Sequence, residues 1–100
     1  MSVQKKIEHT LSDNFELSHI EVVNESHMHS GPNTETHFKV ILVSDEFEGV
    51  KLVQRHRKIN DLLKFELENG VHALSLHLFT KTEWDDKKQY VKDSPPCANQ

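Results

Sequence analysis

The segment His37-Phe38-Lys39-Val40-Ile41-Leu42-Val43-Ser44 constrains this chain more than any other. It is short, aromatic and β-branched, and it reads as a central strand. A chain of 100 residues has room for one compact domain and not for two, so this strand has to lie in a single core. An antiparallel partner precedes it: His19-Ile20-Glu21-Val22-Val23-Asn24-Glu25 carries β-branched residues with partial alternation, the pattern of a strand packed on one side. Between the two, Ser26 to Thr36 breaks the pattern, and Ser30-Gly31-Pro32-Asn33 is turn chemistry with a proline that cannot donate to a ladder. An exposed loop is expected there.

Helical periods surround the strands. Val3, Ile7 and Leu11 recur every four residues behind Ser2 as a cap, which predicts a short amphipathic helix to about Asn14. After a turn at Ser44-Asp45-Glu46-Phe47-Glu48-Gly49, the longest helix is expected over Val50 to Glu68, with Leu52, Ile59 and Leu63 on one stripe and Gly70 as its stop. Val71 to Phe79 forms a third strand, with Leu74, Leu76 and Leu78 on one face and Val71, Ala73, Ser75, His77 and Phe79 on the other. Thr80-Lys81-Thr82-Glu83 matches a capping box that opens a last short helix carrying Trp84. From Asp93 onward there is no periodicity and Pro95 and Pro96 follow each other, so 93–100 is expected to be a frayed tail. The order α-β-β-α-β-α predicts an α+β sandwich of two layers, a three-stranded mixed sheet with helices mainly on one face, and it resembles a KH-like domain.

Composition narrows the function classes. A hydrophobic fraction of 35% with 28% charged residues is on the polar side, yet periodic apolar segments run almost to residue 90, as in a soluble globular domain. The formal charge of -4 argues against a whole-molecule grip on nucleic acid and leaves that question to local patches. No run approaches the roughly 18 apolar residues of a membrane span, and no apolar signal segment follows Met1-Ser2-Val3-Gln4-Lys5-Lys6, so a cytoplasmic location is expected. The single cysteine, Cys97, cannot form an internal disulfide or a cysteine-only metal site. Any metal held here needs histidine or a second molecule.

Histidine is plentiful, with eight in the chain, and imidazole is both a proton switch and a common metal ligand. His27 and His29 fall in the polar loop, His56 stands between Arg55 and Arg57 on the apolar stripe of the long helix, and His72 opens the run Val71-His72-Ala73-Leu74-Ser75-Leu76. His37 and His77 read as structural or exposed strand residues, and His9 and His19 carry no assigned role. Between Gly49 and Asn60 there are Lys51, Arg55, Arg57 and Lys58 and no acidic residue. Lys51, Arg55 and Lys58 share a helical face, a small basic strip suited to phosphate contact or to an ordinary solvated surface. An enzyme finds little support: there is no Gly-rich phosphate cradle and no nucleophile with an adjacent oriented base, and Asp85-Asp86 reads as solvated helix charge.

The succession Thr36-His37-Phe38-Lys39-Val40, Val43-Ser44, Phe47-x-Gly49, Arg55-His56-Arg57, Glu66-Leu67, Val71-His72-Ala73-Leu74-Ser75-Leu76 and Glu83-Trp84 resembles the BolA family over about residues 1 to 92. The tail Ser94-Pro95-Pro96-Cys97 is similar to that of bacterial members. The resemblance implies a class II KH-like fold, no enzymatic activity, and pairing with a monothiol glutaredoxin around a bridging 2Fe-2S cluster. It also implies transcriptional regulation of stress response and cell morphology by some bacterial members. The family's invariant carboxy-terminal histidine falls on His72, which the resemblance makes a cluster ligand. The second ligand belongs in the loop between the first two strands, where His29 fits best and His27 is the substitute. Glutaredoxin and its glutathione would supply two thiolates, an imidazole-and-thiolate division similar to the Rieske arrangement, and no cluster is expected in the isolated chain. The alternative implied function is binding of duplex DNA through Lys51, Arg55, Arg57 and Lys58. The chain departs from nucleic-acid-binding KH domains in lacking a G-x-x-G loop, which turns attention to a helix-turn-helix-like use of the basic helix. A homodimer is compatible with the sequence.

Overall fold

The computed structural model describes residues 2–26 and 35–87. The expected tail, with Cys97, and the loop histidines His27 and His29 lie outside the described residues. The described elements are α1 (Val3–Asn14), β1 (His19–Asn24), β2 (His37–Val43), a 3-10 turn (Asp45–Phe47), α2 (Leu52–Leu62), α3 (Lys64–Glu68), β3 (Ala73–Phe79) and α4 (Lys81–Asp86). β2 is the central strand. It runs antiparallel to β1, from His19↔Val43 to Asn24↔Phe38, and parallel to β3, from His37↔Ala73 to Val43↔Phe79. A parallel pair needs a long crossover, and α2 with α3 provides it.

The two-residue period of the strands divides the core between the faces of the sheet. Phe38, Val40 and Leu42 join Val22 and Leu78 on one face, where Ile7 and Leu11 of α1 and Ile59 of α2 cover them. Leu74 and Leu76 pack at the margin of that cluster. Ile41 and Val43 point the other way and meet Trp84 of α4 and Phe79. Val71, expected on the second face, is buried in the main core, because it precedes the regular strand and is not bound to its alternation.

Local signals set the helix ends. The Ser2 hydroxyl accepts the Lys5 amide at 3.1 Å, and the extended Phe15 ends α1. Thr80 and Glu83 form the expected reciprocal capping box on α4. Gly49, with φ of 74°, makes the turn into α2. The helix expected over 50–68 is divided at Leu63, whose φ of -102° and ψ of 17° leave the helical region while its side chain stays buried. Hydrogen bonds continue across the division, from Leu63 N–H to Ile59 O and from Leu67 N–H to Leu63 O.

Two expectations for α2 are corrected. Leu52 is 61% exposed rather than part of the buried stripe. It stands in the first turn, ahead of the residue that fastens the helix to β3. That residue is Arg55, which is only 5% exposed and does not belong to a solvent-facing basic strip. Its guanidinium donates to Val50 O at 2.8 Å, to Leu78 O at 3.2 Å, and to both carboxylate oxygens of Glu83 at 2.6 and 3.3 Å. It also lies 5.6 Å from the centre of the Phe47 ring. The Arg55 hydrogen bonds, with the Thr80 amide as second cause, hold the Glu83 carboxyl below its ordinary value. One side chain thereby ties α2 to the end of β3 and to α4.

The second face of the sheet is more polar. Lys39 is buried there, and the Ser75 hydroxyl lies 3.1 Å from His77 Nε2. Burial, and then the positive charge of Lys39, push the His77 imidazole below its ordinary value of 6.5. His56 and Lys87 act in the same direction and Glu25 opposes them. A depressed imidazole means that the unfolded chain binds the proton more readily. His77 therefore has no effect on stability well above about pH 6.5 and destabilises progressively as pH falls from there toward the lower folded-state value. Denaturant midpoints measured between pH 5 and 8 should fall more steeply toward acid in the wild type than in His77→Gln; parallel profiles would contradict this assignment.

Candidate functional site

The first rung of the parallel ladder builds a histidine-bearing end on the sheet. Pairing of His37 with Ala73 carries His72 to the neighbourhood of Thr36 and His37. The Thr36 carbonyl accepts two successive amides, His72 N–H at 2.7 Å and Ala73 N–H at 3.2 Å. The approach from α3 is fixed as well: Gly70 has φ of 122°, Val71 N–H donates to Glu66 O at 3.0 Å, and the Val71 side chain is buried. His72 follows this anchor and is exposed. Its backbone is held on one side by the core and on the other by β2, while its ring faces solvent.

The ring has a second imidazole beside it. The centres of His37 and His72 are 6.0 Å apart and the rings meet edge-on at 76°. The Thr36 hydroxyl lies 2.9 Å from His37 Nδ1. Ser26 braces the same corner, its hydroxyl oxygen accepting Thr36 N–H at 2.8 Å and His37 N–H at 3.0 Å. Glu25 N–H donates to His37 O at 2.8 Å. The described part of the chain therefore brings both borders of segment 27–34 to the His37–His72 corner. His29 and His27 themselves lie outside the described residues.

An imidazole so placed can offer a ring nitrogen to a metal held largely by another molecule. His72 fits that role because it is exposed, backbone-anchored and next to the borders of the loop. It does not make a closed metal centre alone, and among the described residues no group of three or more histidine, cysteine or carboxylate side chains converges on one point. Sequence alone gives His37 a structural or merely exposed place, whereas the fold sets it against His72. No local signal in the sequence pairs the two residues, because their relation depends on the register of β2 with β3.

The second candidate surface is α2. Lys51, Arg57 and Lys58 are exposed, and Lys58 Nζ lies 5.1 Å from the centre of the Phe15 ring. With Arg55 turned inward, this surface has three basic groups rather than four. The 3-10 turn before α2 spans three residues, so the element ahead of the basic helix is shorter than a full helix. His56 is half-buried, His9 is exposed on α1, and His19 stacks on Trp84 with centres 5.2 Å apart.

Comparison with known proteins identifies the family. The family model described as BolA-like protein matches residues 11–83. The DNA-binding transcriptional regulator BolA of Vibrio cholerae is 45% identical over 96 residues, covering 95% of this chain and 91% of its own length. The protein of the same name from Escherichia coli is 45% identical over 98 residues, covering 97% and 93%. The solution structure of mouse BolA1 superposes with a TM-score of 0.82 at 37% identity, covering 97% of this chain and 79% of that one. The chain therefore belongs to the BolA family.

Proposed function

We propose that this protein is a non-enzymatic, cytoplasmic regulatory protein that pairs with a monothiol glutaredoxin and co-ligates a bridging 2Fe-2S cluster through His72 and a loop histidine, His29 or its substitute His27. The observation that carries this reading is the presentation of His72: an exposed ring on a backbone locked by Thr36 O. A docked partner meets an imidazole whose position needs little ordering, so less of the binding energy goes into fixing it. Thr36 sets the place of His72, and Ser26 braces Thr36 and the near border of the loop. A bound cluster supplies one-electron redox chemistry, and imidazole ligation on one iron shifts its potential relative to all-thiolate ligation. Among the described residues no helix is long and apolar enough to cross a membrane.

Anaerobic cluster reconstitution with a monothiol glutaredoxin and glutathione, followed by visible circular dichroism as this protein is titrated in, tests the reading. A distinct spectrum that saturates near one equivalent and disappears in His72→Ala is expected. An unchanged spectrum with the wild-type protein would overturn it.

A second reading rests on the names of the bacterial relatives, which are DNA-binding transcriptional regulators at 42–45% identity. In this reading the exposed Lys51, Arg57 and Lys58 contact phosphates of duplex DNA, and Arg55 holds the helix in place from inside. The triple variant Lys51→Glu, Arg57→Glu, Lys58→Glu leaves the Arg55 network intact. Its duplex binding, measured by fluorescence anisotropy across salt concentrations, should weaken, with the logarithmic salt slope reduced by about 0.9 for each phosphate that the variant no longer neutralises. An unchanged affinity and slope would remove α2 as the DNA surface.

A further inference from the structure

We propose that the outer edge of β3 is a pairing surface for a second copy of this chain, and that two copies join antiparallel about Ser75, merging their three-stranded sheets into one. In the β2–β3 ladder the bonds to β2 fall on alternate residues of β3: Ala73 N–H donates to Thr36 O, and Phe79 O accepts Ser44 N–H. The main-chain groups of Leu74, Leu76 and Leu78 therefore point away from β2. Arg55 Nη1 takes one of them, Leu78 O, at 3.2 Å. Among the described residues no strand lies beyond β3, and no hydrogen bond reaches Leu74 or Leu76 from that side.

The two edges of the sheet are finished differently. β1 carries Glu21, and α1 packs along it, with Gln4 Nε2 donating to Val22 O at 2.8 Å. β3 reads Ala-Leu-Ser-Leu-His-Leu-Phe, without the lysine, proline or bulge that keeps an edge from pairing. Its outward groups are also self-complementary. With Ser75 opposite its own copy, Leu74 faces Leu76 of the second copy and Leu76 faces Leu74, and each of these pairs exchanges both of its N–H···O bonds. The two-fold axis of such a pair stands perpendicular to the sheet, so the helix-covered faces of both copies lie on the same side. There Leu74 and Leu76, half-buried at the margin of one core, meet the same residues of the other. A foreign strand would need a matching run of its own, whereas the second copy brings the same uncharged sequence at the spacing that the edge requires. The register also sets His72 opposite Leu78 of the second copy, which lays the histidine end of one chain beside the arginine end of the other.

The pairing depends on neither the cluster reading nor the DNA reading. Sedimentation velocity of the untagged full chain in reductant, across a concentration series, should show reversible monomer–dimer exchange. Amide hydrogen exchange at Leu74 and Leu76 should slow as concentration rises, while Ser75 and His77, whose amides point toward β2, should not change. Charge placed on the two-fold axis tests the register. Like charges directly opposite each other in an antiparallel pair repel, so Ser75→Lys and Ser75→Glu should each weaken association by up to about fivefold, and an equimolar mixture of the two variants should restore it. In a Cys97→Ser background, Ser75→Cys should form an intermolecular disulfide on mild oxidation, because directly opposite residues bring their Cβ atoms to about 4.5–5.5 Å, near the spacing of a disulfide. Amide NMR spectra establish that each variant is folded. A wild-type chain that stays monomeric at every concentration would overturn the proposal, as would a dimer that associates equally well in both folded charge variants. Slow exchange at Leu74 and Leu76 in a chain that remains monomeric would assign the edge to another segment of the same chain and overturn it as well.

Discussion

Parallel pairing of β2 with β3 is the constraint from which the other features follow. A parallel neighbour cannot be reached by a tight turn, so the chain has to cross over, and the crossover helices α2 and α3 supply cover for the apolar face of the sheet. The register of the same pairing decides what stands at its first rung. His37 opposite Ala73 brings Thr36 O within hydrogen-bonding distance of the His72 amide. A slip of one residue would invert the faces of β3, turning Leu74, Leu76 and Leu78 away from the core, and would also separate His72 from Thr36. Burial of the leucines and presentation of the histidine are therefore enforced together.

Arg55 performs the matching task at the opposite end of the ladder. A buried guanidinium is costly unless its donors are satisfied, and here they meet two backbone carbonyls and a bidentate carboxylate. Its bond to Leu78 O joins α2 to the end of β3, and its bonds to Glu83 join both to the capping box of α4. Glu83 is thus used twice, as the helix-capping carboxylate and as the counter-ion of a buried charge. The histidine end and the arginine end lie at the two extremities of the same strand pair, and between them the sheet is closed by apolar contacts.

Features that depend on neighbouring residues are legible in the sequence. Ser2 before a four-residue apolar period, Thr80 three residues ahead of Glu83, and a β-branched run at His37–Ser44 each act within a few residues, and the corresponding elements form where those signals place them. What the sequence does not disclose depends on distant partners. Arg55 resembles a surface charge because its counter-ion is 28 residues away and its carbonyl acceptor on Leu78 belongs to another element. The relation of His37 to His72 exists only once the register of β2 and β3 is set, so neither residue announces the other. The division at Leu63 has no glycine or proline to mark it, and the apolar period runs through it. Helical periodicity places Leu52 with Ile59, but periodicity does not say where along a helix the core begins.

In the proposed function two surfaces divide the work: the His72 end would receive a cluster-bearing partner, and the exposed cations of α2 would meet phosphate. The central claim is that the partner docks at the first rung of the β2–β3 ladder. Titration of isotopically labelled protein with cluster-loaded monothiol glutaredoxin, followed by amide resonances, locates the docking site residue by residue. The account predicts the largest changes at Thr36, His37, His72 and Ala73, with Lys51 to Lys58 unaffected. Changes confined to Lys51 to Lys58, with the His72 end unmoved, would contradict it.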